Sequence, residues 1–209
     1  MEHLLALYNL PYNPKEPVVG FDESSVQLLG EVRDGMPAKP GRAARHDFEY
    51  VRGGTANLLM IVEPLAGWRD VEVSASRTKL DFARRMKYLV DERYPDADRV
   101  HIILDNLNTH TKGALYDAFP AAEAFRIAEK IEFHLTPVHA SWLNVTEIEL
   151  SVVSRECLAQ RIPTPAALVE ILTSWQSRRN AAGTGIEWRF TVDAARGKFK
   201  RFYPQDSVQ

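Results

Sequence analysis

The chain has 209 residues, 45% hydrophobic and 26% charged, which is enough apolar material to bury one full core. A formal net charge of −2 and a pI near 6.3 exclude a uniformly basic, phosphate-tracking surface, so any contact with nucleic acid must come from local patches. The single cysteine, Cys157, excludes an internal disulfide, and its helical setting with Leu150 and Val153 marks it as a small core residue.

The N-terminal stretch MEHLLALYNLPYNP has no basic leader and too short an apolar run for a signal peptide or a membrane span, and no later segment approaches the required length. A cytoplasmic chain without a membrane partner is therefore expected, with residues 1–16 as a lead-in. Pro17 to Asp22 reads as a strand, with Val18, Gly20 and Asp22 on one face and Val19, Phe21 and Glu23 on the other. Of the adjacent acids Asp22 and Glu23, only one can point toward a given site.

Gly30 to Gly54 carries Gly, Pro and the cations Arg33, Lys39, Arg42, Arg45 and Arg52, a composition that predicts a long irregular connection. Thr55 to Pro64 and Trp68 to Ser74 predict two strands joined by the turn Leu65-Ala66-Gly67, antiparallel to each other and to the first. Thr78 to Tyr94 has apolar residues near a 3.6 period and predicts a helix ended by Pro95. The next run, RVHIILD, is almost continuously apolar, as in a strand buried on both faces.

Gly113 to Lys130 predicts a helix interrupted at Pro120, IEFHLTP a fifth strand, and Asn144 to Gln160 a further helix. Helices over Pro165 to Arg179 and Val192 to Phe202 follow, separated by the linker Ala181-Ala182-Gly183-Thr184-Gly185. The order of three strands, helix, strand, helix, strand, helices matches an α/β, ribonuclease-H-like fold, a mixed five-stranded sheet flanked by helices. That unit is expected over residues 17–180, with 181–209 forming a linker and a basic helix that carries Arg196, Lys198, Lys200 and Arg201.

Three acids stand at element edges: Asp22 in the first strand, Asp105 at the end of the fourth, and Glu147 at the start of the helix after the fifth. In the expected sheet the first and fourth strands are neighbours, so the carboxylates would meet at one edge. Packed carboxylates repel and raise one another's pKa unless cations neutralise them, and an all-oxygen set suits a pair of Mg²⁺ or Mn²⁺ ions. Each acid also has a local alternative. Asp22 fits a turn and Asp105 a loop cap, while Asn144-x-x-Glu147 reads as a capping box. On a helical wheel Glu147 shares a face with Ser151 and Ser154, whereas Glu149 falls between Val145 and Val153 as a ligand or a buried ion-pair member.

The blocks FDES, LDNLNTH and SWLNVTE resemble the three catalytic blocks of mariner-related DDE transposases, in particular the bacterial insertion sequence six-thirty family. The resemblance extends through VQLLGEVR, GGTANL, EPLAGWR and LTPVHASWLN, nearly the whole chain. It implies Asp22, Asp105 and Glu147 as catalytic and metal-binding acids, with two divalent ions driving DNA cleavage and strand transfer during transposition, recombination or integration of DNA. Asn106, His110, His139, Trp142 and Asn144 become candidates for contact with DNA or phosphate, and Glu23 and Glu149 become flanking residues.

Double-stranded DNA and a second copy of the chain are the partners the resemblance implies. The residues ahead of Asp22 are too few for a helix-turn-helix module, so recognition of element ends is expected from a separately encoded one. Two departures from the family pattern stand out. Asp105 and Glu147 are farther apart than is usual in mariner relatives, a difference that the 113–130 segment absorbs, and Val138 and Ala140 replace a lysine and a glycine. An inactive remnant that binds DNA or a partner, and a ribonuclease-H-like nuclease without strand transfer, are the alternatives.

Overall fold

The computed structural model describes residues 1–33, 36, 38–43, 48–138 and 140–202. Helix α1 (Glu2–Tyr8) precedes strands β1 (Val18–Glu31), β2 (Tyr50–Glu63) and β3 (Trp68–Ser74). Helix α2 (Lys79–Tyr88) continues into a π-helical turn over Leu89–Arg93 and leads to β4 (Val100–Leu104). After α3 (Lys112–Ala118) and α4 (Ala121–Lys130) come β5 (Ile131–Leu135), α5 (Thr146–Glu156), α6 (Pro165–Ala181) and α7 (Val192–Lys198).

The five strands form one mixed sheet in the order β3-β2-β1-β4-β5. The pairs β1–β2 and β2–β3 are antiparallel, while β1–β4 and β4–β5 are parallel. One face, through Val19, Phe21, Leu59, Ile61 and Ile102, packs on Phe82, Met86, Leu115 and Ile127 of α2, α3 and α4. On the opposite face, Leu28, Leu58, Met60 and Val62 pack on Val153 of α5 and on Leu168, Leu172 and Trp175 of α6. A third cluster joins Leu4 and Leu5 of α1 and Ala195 of α7 to Ile103, Leu143 and Val145, so both terminal segments share a core with the sheet.

Local signals account for most boundaries. Thr78 and Asp81 form a reciprocal capping box at the start of α2, Pro120 separates α3 from α4, and Thr164 caps α6 ahead of Pro165. Two expectations need correction. β1 and β2 run far beyond Asp22 and before Thr55, pairing as a ribbon out to Glu31 and Tyr50 within what the composition predicts as an irregular connection. Its register shifts between Leu28 and Leu29, where Leu29 N–H donates to Ile162 O at 2.8 Å. The lead-in also contains a helix, α1, whose apolar side is covered by α7 and the sheet. Among the described residues, no helix is long and apolar enough to cross a membrane.

Candidate active site

The register of the sheet brings the first two acids together. Val18, Val19 and Gly20 pair in parallel with His101, Ile102 and Ile103, and the same register carried two residues further sets Asp22 beside Asp105. Gly20 lets α5 approach the strand. A Cβ at that position would lie 2.3 Å from Thr146 Oγ1 and 2.8 Å from Val145 Cγ1, so only glycine admits the start of α5, and with it Glu147, this close to β1.

Asp22 faces α5, as the strand alternation predicts. Its Oδ1 accepts from Glu23 N–H at 2.8 Å and its Oδ2 from Asn144 Nδ2 at 3.2 Å. Burial, followed by the charges of Glu147 and Asp105, pushes its carboxyl up to about 7 against the pull of the Glu23 N–H bond and of His110. Asp22 therefore senses charges carried on two other elements. Glu147 is exposed in the first turn of α5 and Asp105 is half-buried just past β4. Among the described residues, the group of His, Cys, Asp or Glu side chains whose ligand atoms all lie within 4.8 Å of one another is His101, Glu132 and His134, not the acidic trio.

The donor chemistry of the trio fits a hard divalent cation. All its ligand atoms are carboxylate oxygens, and a cation would offset both the burial of Asp22 and the added charges of Glu147 and Asp105. Beside Asp105 lies an open depression of about 300 Å³ lined in part by Asn106, Thr136, Pro137, Val138 and Ser141.

The supporting residues depart from the expectations. His110 is 4% exposed, so it cannot present itself to a phosphate. It packs against the rings of Phe21 and Phe82, with Nδ1 2.7 Å from Asp105 Oδ1 and Nε2 3.4 Å from Glu23 Oε1. Burial lowers its pKa, but the bonds and charges of Glu23 and Asp105 outweigh this and raise it. Glu23, expected only to flank the site, thus anchors the histidine that holds Asp105. Strand parity places Glu23 on the opposite face from Asp22; nothing local in LDNLNTH marks His110 as buried.

Asn144 is 1% exposed and also cannot meet DNA. Its Nδ2 donates to Phe21 O at 2.9 Å as well as to Asp22, and its Oδ1 accepts from Thr146 N–H at 3.1 Å. The capping box with Glu147 does not form, because α5 begins one residue later with Val145 as its cap and the asparagine side chain is used to position Asp22. Asp105 does accept from Leu107 N–H at 3.2 Å, as a loop-capping aspartate would. Asn106 is exposed but its Nδ2 donates to Thr136 O at 2.6 Å, tying the β4 and β5 ends. Trp142 is 42% exposed and packs on Trp188, Phe190 and Phe199. His139 lies outside the described residues.

Glu149 is fully buried and turned away from the site. It accepts from Arg179 Nη2 at 2.8 Å and Nε at 3.2 Å, and lies 3.4 Å from Arg69 Nε, the ion-pair role rather than the ligand role.

Residues 17–169 match the family described as DDE superfamily endonuclease. The chain belongs to that family. Solved structures of the Mos1 mariner paired end complex with Mn and of the Mos1 Strand Transfer Complex each superpose with a TM-score of 0.57 at 17% identity, covering 88% of this chain and 55% of theirs. A pre-cleavage Mos1 transpososome superposes equally well and is covered over 56% of its chain. This DDE chain thus spans just over half the length of those Mos1 chains, and at such identity the likeness establishes the ribonuclease-H-like fold. A search of curated proteins found no significant match.

Proposed function

We propose that this DDE endonuclease chain is the catalytic core of a transposase of the bacterial insertion sequence six-thirty type, acting in the cytoplasm on nucleoid DNA. What supports the reading is that β1, the end of β4 and the first turn of α5 carry Asp22, Asp105 and Glu147 toward one end of the sheet, with the charges of the last two acting on Asp22. In this reading those carboxylates hold two Mg²⁺ or Mn²⁺ ions. When bound, such ions supply activation of water or a DNA 3′-hydroxyl and stabilisation of the leaving oxygen.

The chain's own residues set the geometry. Asn144 and the Glu23 N–H orient the two oxygens of Asp22, while His110, set by Glu23, and the Leu107 N–H lie against one oxygen of Asp105, Oδ1. Gly20 sets the distance between Glu147 and the sheet. The depression beside Asp105 receives the scissile backbone in this reading. Mos1 complexes with paired ends and after strand transfer support DNA ends and target as partners, and a dimeric assembly.

One observation favours a second reading, an inactive remnant that binds DNA or a partner. Val138, where the resemblance leads one to expect a lysine, is 75% exposed beside Asp105 and offers no charge to phosphate. The test is strand transfer of a precut DNA end with a free 3′-hydroxyl into a target plasmid in Mg²⁺ or Mn²⁺. Joined products are expected. Hydrolysis without joining would identify a nuclease, and DNA binding with neither reaction would identify the remnant.

A further inference from the structure

A second cluster lies on the other side of β4 from the helices α2 to α4. His101 on β4 pairs in register with Glu132 on β5, and His134 stands two residues farther along β5, so all three project from one face of the sheet edge. His101 Nδ1 and His134 Nε2 are 2.9 Å apart. Glu132 Oε2 is 3.8 Å from the first of these nitrogens, and Oε1 is 3.8 Å from the second. Ligand atoms around a tetrahedral zinc ion, at bond lengths of about 2.0–2.1 Å, are roughly 3.3 Å apart, so these separations bracket the required value.

The rest of the surroundings also suits a metal. His134 is buried, and its remaining ring nitrogen, Nδ1, lies 2.8 Å from His3 Nε2 on α1. A proton on Nδ1 shared with His3 leaves Nε2 with its lone pair directed at His101 and Glu132, the outer-shell pattern that fixes the tautomer of a ligating histidine. Arg99 Nη1 donates to Glu132 Oε2 at 2.7 Å, which steadies the carboxylate. Two imidazoles and one carboxylate favour zinc over magnesium, which prefers oxygen donors. The cluster is separate from the acidic trio, since His101 precedes Asp105 by four strand positions, about 13 Å along β4.

We propose that His101, Glu132 and His134 form a zinc-binding site that ties the edge strand β5 to β4, with water as the fourth ligand and His3 orienting His134. The site holds β5, and through His3 also α1, against the strand that ends in Asp105.

The test is calorimetric titration of the tag-free full chain with Zn²⁺ alone, alongside Co²⁺ absorption as a report of four-coordinate geometry. One zinc per chain and tetrahedral cobalt bands are expected. His101→Gln and Glu132→Gln should each weaken zinc binding by at least about 10-fold, a loss typical of a ligand or its immediate support, while Asp105→Asn leaves it unchanged. Because His134 is buried, the two more exposed variants decide the outcome, with circular dichroism confirming that they fold. Absence of zinc binding, its retention in both variants, or its loss in Asp105→Asn would overturn the proposal.

Discussion

Adjacent residues in this chain take opposite roles because a strand alternates its faces. Asp22 points to α5 and the acidic trio, while Glu23 points to His110 and the aromatic side of the core. A sequence reader sees that only one of the two can face the site, and the register with β4 selects Asp22. What stays hidden is the histidine's burial, which depends on Phe21 and Phe82, two residues from distant segments. Glu149 shows the same limit: its helical position allows a ligand or an ion pair, and only the arrival of Arg69 and Arg179 decides. Glu149→Gln leaves the buried Arg69 and the partly buried Arg179 without their anion and is expected to cost about 3–5 kcal/mol of stability. Nicking per folded molecule should persist. Chemical denaturation together with a DNA nicking assay checks both halves of that prediction.

Elements were legible where the local chemistry was strong. The Pro120 break, the Thr164-Pro165 start of α6 and the apolar run of β4 all lie close to where the sequence puts them. The ribbon beyond Asp22 was not, because Ser24, Ser25 and Gln27 give no apolar alternation and owe their strand conformation to pairing with β2. The α2 capping box offers a direct test of a local signal. Burial raises the Asp81 carboxyl, but bonds from Thr78, Ser76 and Arg84 outweigh it and bring it to about 2. A folded pKa below the ordinary 3.8 gives stability that is present above pH 4 and lost as pH falls through 2. Asp81→Asn should therefore cost about 2 kcal/mol near neutral pH. Its difference from the parent should vanish near pH 2, as read from urea unfolding at several pH values.

The approach of α5 to β1 gives a second prediction at this scale. Gly20→Ala puts a methyl group against Thr146 and Val145, and overpacking of this kind costs about 1–3 kcal/mol. Displacement of Glu147 should then reduce cleavage by about 100-fold, the scale of a 1 Å misplacement at a reacting centre. Thermal unfolding and nicking rates, measured on the same preparation, separate the two effects.

For the whole molecule, the sheet order was readable from the sequence of elements, but the integration of the ends was not. α1 and α7 cover Ile103 and Val145, and Arg196 of α7 pairs with Glu2 of α1 through two bonds of 2.8 Å. That pairing takes one cation out of the basic patch that composition placed there. Gly67, at φ +63°, lets the β2–β3 turn meet the 181–185 linker, where Ile186 N–H donates to Pro64 O at 2.9 Å and Arg69 donates to Thr184 O. The result is a fold that carries Asp22, Asp105 and Glu147 toward one end of the sheet while its termini brace the same face on which α5 packs. The most direct test of that account is nicking of supercoiled plasmid at low salt by the purified chain and by its Asp105→Asn variant, with Mg²⁺, Mn²⁺ or EDTA. The account predicts nicking that requires a divalent ion and disappears in the folded variant; equal nicking by Asp105→Asn, or nicking that persists in EDTA, would contradict it.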